Sequence, residues 1–211
     1  FAATAERCRA EGIDVSYMAC DVNRVRLPEI SFDLICGIHC VHHFERLEHI
    51  FEECNRALAD DGFVVFEEYV GPNRFQWTEE QLKLTRLMLG LLPEQMRIYP
   101  HGMLKNEEGR STVEQVIAVC PSEAIRSEDI VPLFGRFFNP VVNNPLGGTI
   151  QQLLYNGIIQ NFPDEDPNAL HFIDCINALE QAYIGRGILP SDFVLLVGRK
   201  KKRPGFGRGR A

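Results

Sequence analysis

The sequence predicts an α/β fold, and three observations carry that expectation. Apolar runs of strand length alternate with segments of helical periodicity, short connections join them, and a final apolar run at residues 193–197 follows a long stretch that reads mainly as helix. With 211 residues the chain is long enough to bury a core, and nothing in its middle reads as a linker, so one domain is expected.

The elements follow in order. Residues 4–11 look like the end of a helix closed by Gly12. Residues 15–20 read as a short strand, and residues 32–38 as a nearly continuous apolar strand of the kind buried on both faces of a parallel sheet. Between them runs a polar loop ending in Leu27-Pro28. From residue 46 to 59, Leu47, Ile50, Phe51, Cys54 and Leu58 recur at helical spacing until Asp60-Asp61-Gly62 breaks the pattern. Residues 63–66 form the next strand, so strand, helix and strand imply a right-handed parallel crossover. Thr78 with Gln81 makes a capping box for a helix carrying Leu84, Leu87, Met88 and Leu91, and Ser111 with Glu114 marks another helix start. Ser127 caps a short helix, and residues 136–142 are a weak strand candidate because Pro140 cannot donate to a ladder. Asp166-Pro167 starts a helix reaching about Tyr183, and residues 193–197 are the terminal strand.

Composition narrows the function classes. A formal charge of -7 argues against a general nucleic-acid binder, which needs a basic face, and favours a small neutral or cationic ligand. No apolar run approaches the length of a membrane span and no secretion signal opens the chain, so a cytoplasmic protein is expected. Seven cysteines without a CxxC pair fit reduced thiols, with Cys36, Cys54 and Cys175 expected as buried small hydrophobes. The histidines and acids lack HExxH spacing, and no metal site is read from them. The run Lys200 to Arg203 and the glycine-rich residues after it read as a disordered basic tail over residues 200–211.

One ordered set of motifs is more specific. Met18-Ala19-Cys20-Asp21-Val22-Asn23 through Leu27-Pro28, then Phe32-Asp33-Leu34-Ile35-Cys36-Gly37, Val41-His42-His43-Phe44, and Leu58 through Phe66 resemble, in order, the middle motifs of class I S-adenosylmethionine-dependent methyltransferases. That resemblance implies a Rossmann-like methyltransferase fold, a mostly parallel sheet with an antiparallel C-terminal strand. The family's first strands and its glycine-rich loop have no counterpart in the chain. Residues 1–199 are then a partial methyltransferase domain with a helical insertion around 78–185, expected to bind S-adenosylmethionine weakly and to associate through open sheet edges. Gly71 and Gly147-Gly148 do not supply the missing loop, since neither lies between an apolar strand and a capped helix.

By the same resemblance Asp21 accepts a hydrogen bond from the cofactor's adenine amino group, the Val22 backbone meets the ring edge, and Gly37 lets the methionine part approach. The alternatives are an Asx turn at Asp21 and a turn requirement at Gly37. Methyl transfer is an in-line displacement that needs alignment and, for a hydroxyl or ammonium acceptor, a base. His39, His42 and His43 follow the second strand, and His42 is the candidate base; the other reading has His42 and His43 packing the start of the next helix. Glu67, Glu68 and Tyr69 end the following strand, and alternation means that Glu67 and Glu68 face opposite ways, with Glu68 the candidate catalytic carboxylate. Tyr69, Arg74 and Trp77 are candidates for acceptor binding, although Trp77 is equally placed to act as a hydrophobic staple before Thr78. The leading expectation is methyl transfer to a small molecule. The alternative is a non-catalytic methyltransferase-like interaction module, and no GxSxG elbow or phosphate loop supports a hydrolase or nucleotide binder.

Overall fold

A computed structural model describes residues 2–29 and 32–202, and the element that organises it is a strand-helix-strand unit. Strand β1 (Phe32–Ile38) leads through a 3-10 turn at Val41–His43 into helix α2 (Leu47–Ala57), which is preceded in the chain by α1 (Ala2–Ala10). Strand β2 (Leu58–Tyr69) follows directly and pairs parallel to β1, from Leu34 opposite Phe63 to Ile38 opposite Glu67. The apolar spacing of α2 buries Leu47, Ile50, Phe51 and Cys54 against the sheet. Asp60-Asp61-Gly62 does not end the element; it forms an irregular start to β2, where the register shifts between Phe32 and Leu34.

The chain then leaves the sheet for α3 (Glu79–Leu91), α4 (Val113–Val119) and α5 (Ile130–Phe137), and returns as the edge strand β3 (Phe138–Gly147). After α6 (Gln151–Tyr155) and α7 (Pro167–Gly185), strand β4 (Phe193–Lys200) inserts between β2 and β3, antiparallel to both, giving the order β1-β2-β4-β3. Pro140 and Pro145 are tolerated in β3 because no strand among the described residues pairs with its outer side, and the register shifts beside each of them. The Thr78–Gln81 capping box forms as expected, with both reciprocal bonds present. The second box lies one residue later than expected, on Thr112 and Gln115, because the Thr112 hydroxyl is the one that meets the Gln115 N–H. Asp166 caps α7 through the Asn168 N–H, with Pro167 at its first position.

Two apolar cores result. Phe51, Phe66, Phe134 and Phe138 centre the first, between one sheet face and helices α2 and α5. Leu89, Ile150, Leu154 and Ile158 centre the second, among α3, α6 and α7.

Several expectations are corrected. Residues 15–20 form no strand: the segment is irregular, and Val15, Tyr17 and Met18 are exposed. Without it the sheet is mixed rather than mostly parallel, with one parallel and two antiparallel pairings among the described residues. Strand β1 is consequently an edge and is not buried on both faces: Ile35 and Gly37 point inward, while Leu34 and Ile38 are 55% and 62% exposed. Cys36 shares that open face, and Cys175 lies on the outer side of α7, so of the three cysteines expected in the core only Cys54 is buried. All seven cysteines are free thiols. No described helix is long and apolar enough to cross a membrane. Lys200, expected to open the tail, instead ends β4 by pairing with Phe138, and the tail from residue 203 onward lies outside the described residues.

Candidate active site at the carboxyl end of the sheet

Because β1 and β2 are parallel, their carboxyl ends bring the 38–43 segment and Glu68-Tyr69 to one edge of the sheet. Alternation along β2 decides what meets there. Val64, Phe66 and Glu68 face the core with α2, whereas Glu67 is half exposed and lies 3.7 Å from His39. His39 itself is in left-handed backbone, φ 48°, and its N–H donates to the Glu67 carbonyl, so the chain turns sharply as it leaves β1.

Glu68 has no exposed surface and is saturated with donors. Its Oε1 accepts from the Cys40 N–H at 2.6 Å and the Val41 N–H at 2.7 Å, so it closes the open amino end of the 3-10 turn from across the sheet. Its Oε2 lies 2.7 Å from His42 Nδ1. Burial pushes the Glu68 carboxyl up, but the bonds from His42, Val41 and Cys40 together hold it below the ordinary carboxylate range. The Cys40 thiol beside it goes the other way, raised to about 11 by burial and by the Glu68 charge, and is a neutral thiol near neutrality. His42 is buried at 7% exposure, with its ring 6.2 Å edge-on from Tyr69 and 4.2 Å from the ring of His43.

The other candidates divide around this pair. Tyr69 is buried, donates to the Pro72 carbonyl at 3.1 Å and packs edge-on against Phe75 and Phe193; burial pushes its phenol well up. Arg74, in left-handed backbone at φ 56°, turns its guanidinium to the carbonyls of Pro121 and Glu123 and so pins the 121–124 loop against the site. Trp77 stacks on Phe75 with rings 5.2 Å apart, immediately before the Thr78 capping box. His42, Glu68 and Tyr69 therefore meet directly, while Arg74 and Trp77 act on the same corner through the loop and through Phe75.

Of the residues expected at a cofactor, the fold brings Val22 and Gly37 together. Val22 and Gly37 line one cavity of about 170 Å³ with Ile35, Cys40 and Phe44. Asp21, exposed, makes an Asx turn by accepting from the Asn23 N–H at 2.9 Å and pairs with Arg24 at 3.5 Å. The cavity is smaller than the roughly 300–1,000 Å³ of pockets for drug-sized ligands, its inner wall is the core residues Phe51, Cys54 and Phe66, and Asp21 is not part of its lining. Gly37 has a packing reason for its size as well, since a Cβ there would stand 3.0 Å from both Phe66 and Val41. At Gly71 and Gly148 neighbours likewise leave no room for a Cβ, which would meet Asp192 and Tyr69 at the first and Phe193 at the second.

A scan of family models, set against this geometry, gives one match, described as a methyltransferase domain. The match covers residues 1–66. The matched span carries α1, β1, α2 and most of β2, and the resemblance to class I S-adenosylmethionine-dependent methyltransferases holds over it. No curated protein matches the chain in sequence. Among solved structures, the chain is similar to geranyl diphosphate C-methyltransferase from Streptomyces coelicolor A3(2), at 12% identity and TM-score 0.48, covering 93% of this chain and 56% of that one. It is similar also to Haemonchus contortus phosphoethanolamine N-methyltransferase 2, at 18% identity and TM-score 0.43, covering 93% and 40%. The chain thus spans about half the length of these solved relatives.

Reading from sequence alone missed Glu123, which lies between His42 and His43, 3.5 Å from His42 Nε2 and 4.0 Å from His43 Nε2. No spacing signal announces a contact across some 80 positions. The only local hint was the Pro121-Ser122 pair that turns the chain just before it.

Proposed function

We propose that the chain takes part in S-adenosylmethionine-dependent methyl transfer to a small neutral or cationic acceptor, with His42 as the base. The observation that carries this reading is the buried His42–Glu68 pair, 2.7 Å apart, at the carboxyl ends of the parallel strands β1 and β2. Open α/β sheets bind their ligands at that end.

When bound, S-adenosylmethionine supplies an activated methyl group. Asp21 and Val22 hold the adenine end, and the backbone at Gly37 lets the ligand come close to β1. Glu68 accepts the Nδ1–H of His42, which fixes the tautomer and leaves Nε2, on the Glu123 side of the ring, as the nitrogen that takes the proton the acceptor oxygen or nitrogen loses as it gains the methyl. The positive charge that His42 acquires is balanced by the Glu68 carboxylate, itself held by two backbone N–H groups. Glu68 is a positioning residue in this scheme, since it is fully covered and points only at His42 and the turn. Tyr69 walls the other side of the His42 ring, and Arg74 and Trp77 shape the acceptor side through the loop and Phe75.

The test measures cofactor affinity by calorimetry and transfer of a labelled methyl to a panel of small hydroxyl and amine acceptors. Asp21→Ala is expected to weaken affinity, and His42→Ala to lower turnover roughly 10²–10⁴-fold with affinity kept. Unchanged affinity in the Asp21 variant overturns the adenine contact. Neither binding nor transfer by the unaltered protein leaves the interaction-module reading in its place.

A further inference from the structure

We infer that His42, His43 and Glu123 form a binding site for a divalent first-row transition metal. The ligand atoms these three residues offer all lie within 4.8 Å of one another, and the three are drawn from two separate segments, the 3-10 turn after β1 and the loop after α4. Glu123 bridges the two rings, with one carboxylate oxygen 3.5 Å from His42 Nε2 and the other 4.0 Å from His43 Nε2. Ligand atoms bound to one ion at about 2.0–2.2 Å stand only slightly closer to one another than this, so side-chain rotations close the shell without moving the backbone.

The atoms behind the ligands strengthen the assignment. A metal-binding imidazole normally gives its other ring N–H to a protein acceptor, which fixes the tautomer and aims the free nitrogen at the ion. Both histidines have such a partner at Nδ1. For His42 it is the Glu68 carboxylate at 2.7 Å; for His43 it is the Ser122 hydroxyl at 3.4 Å, with the Cys120 sulfur at 3.9 Å. Both Nε2 atoms are thereby left facing Glu123. The charges balance, since two neutral imidazoles with the Glu68 and Glu123 carboxylates offset a dication. The loop that brings Glu123 into place is held from outside by Arg74 on the Pro121 and Glu123 carbonyls, and from below by the Ile125 N–H on the His42 carbonyl. His43 and Glu123 are half-buried, so an ion reaches the site from solvent, and three protein ligands leave a position open for water or an acceptor oxygen. Two imidazoles and one carboxylate suit Zn²⁺, Co²⁺ or Fe²⁺ better than Mg²⁺ or Ca²⁺, which prefer all-oxygen shells.

An ion on His42 Nε2 occupies the lone pair that the methyl-transfer scheme uses as a base, so the metal-bound and base-competent states exclude each other, and metal binding alone tests the site. Chelator-treated protein is titrated with Co²⁺, followed by its visible absorption, and then with Zn²⁺ in competition. One equivalent of Co²⁺ is expected to bind with a spectrum of nitrogen and oxygen ligands and to be displaced by Zn²⁺. His43→Ala and Glu123→Gln, both at partly exposed positions, should each lower the affinity at least tenfold. Glu68→Gln should lower it roughly 10–100-fold by loosening His42. Failure of the unaltered protein to take up one equivalent overturns the site. So does uptake that His43→Ala and Glu123→Gln leave unchanged, or a thiolate-to-cobalt charge-transfer band showing that a cysteine holds the ion.

Discussion

At the scale of single residues, two buried carboxylates are handled in opposite ways. Glu68 is ionised and surrounded by donors, whereas Asp192, also without exposed surface, has Gln81 Nε2 at 2.9 Å on one oxygen and no partner on the other. Burial, reinforced by the charge of Glu180, raises the Asp192 acid to about 7 against the pull of its hydrogen bonds from Gln81 and Thr149. An acid whose folded pKa is raised favours the folded state while it is protonated, so its contribution is complete below its ordinary value near 3.8 and is lost as the pH rises through about 7. Urea unfolding of the protein and of Asp192→Asn across pH 4 to 8 checks this: the difference between the two should change by a few kcal/mol in that direction, since each tenfold gain in proton affinity on folding is worth on the order of 1.4 kcal/mol. Parallel curves would show that Asp192 ionises freely in the fold. The same scale shows what sequence reading grasped and missed at the site. Period-two alternation was enough to put Glu67 and Glu68 on opposite faces, and strand-end position put Glu68 on the sheet edge that carries the histidines, while its direct contact with His42 came only with the structure. Glu123 was invisible because it reaches the histidines through a long-range loop contact that leaves no periodic trace.

At the scale of elements, helices with their own capping chemistry and the apolar strands at 32–38, 63–66 and 193–197 were legible, whereas residues 15–20 and 136–142, whose state turns on a neighbour, were not. Thr78 and Gln81 satisfy each other's backbone N–H groups whatever surrounds them, and α3 begins where the pattern says. Thr78→Ala should cost about 1 kcal/mol of stability, read as a shift in the urea midpoint with unchanged slope, and a neutral substitution would mean that the box adds nothing to the fold. Residues 15–20 have the composition of a strand, but a strand exists only by pairing, and among the described residues nothing pairs with them. Strand β3 was underestimated for the converse reason. Pro140 weighs against a central strand, whereas at the sheet's edge it costs no ladder bond.

At the scale of the whole molecule, the sheet has one well-covered face and one open end. Leu34, Cys36 and Ile38 stand on the exposed face of β1, whose outer backbone groups face no strand among the described residues. Edges of this kind promote pairing between chains. Sedimentation at rising concentration is expected to show self-association, reduced by Leu34→Lys or Ile38→Lys; a concentration-independent monomer would show that the edge is inert. The carboxyl end of the same two strands carries the central claim, that Asp21, Val22 and Gly37 hold one end of S-adenosylmethionine while Glu68 aims His42 at the acceptor. The most direct test is a crystal structure of the protein with S-adenosylhomocysteine. The account predicts adenine at Asp21 and Val22, with the cofactor's sulfur on the side of Gly37 that faces His42 and the His42–Glu68 bond intact; a ligand bound elsewhere on the chain, or a His42 ring turned away from it, would contradict the account.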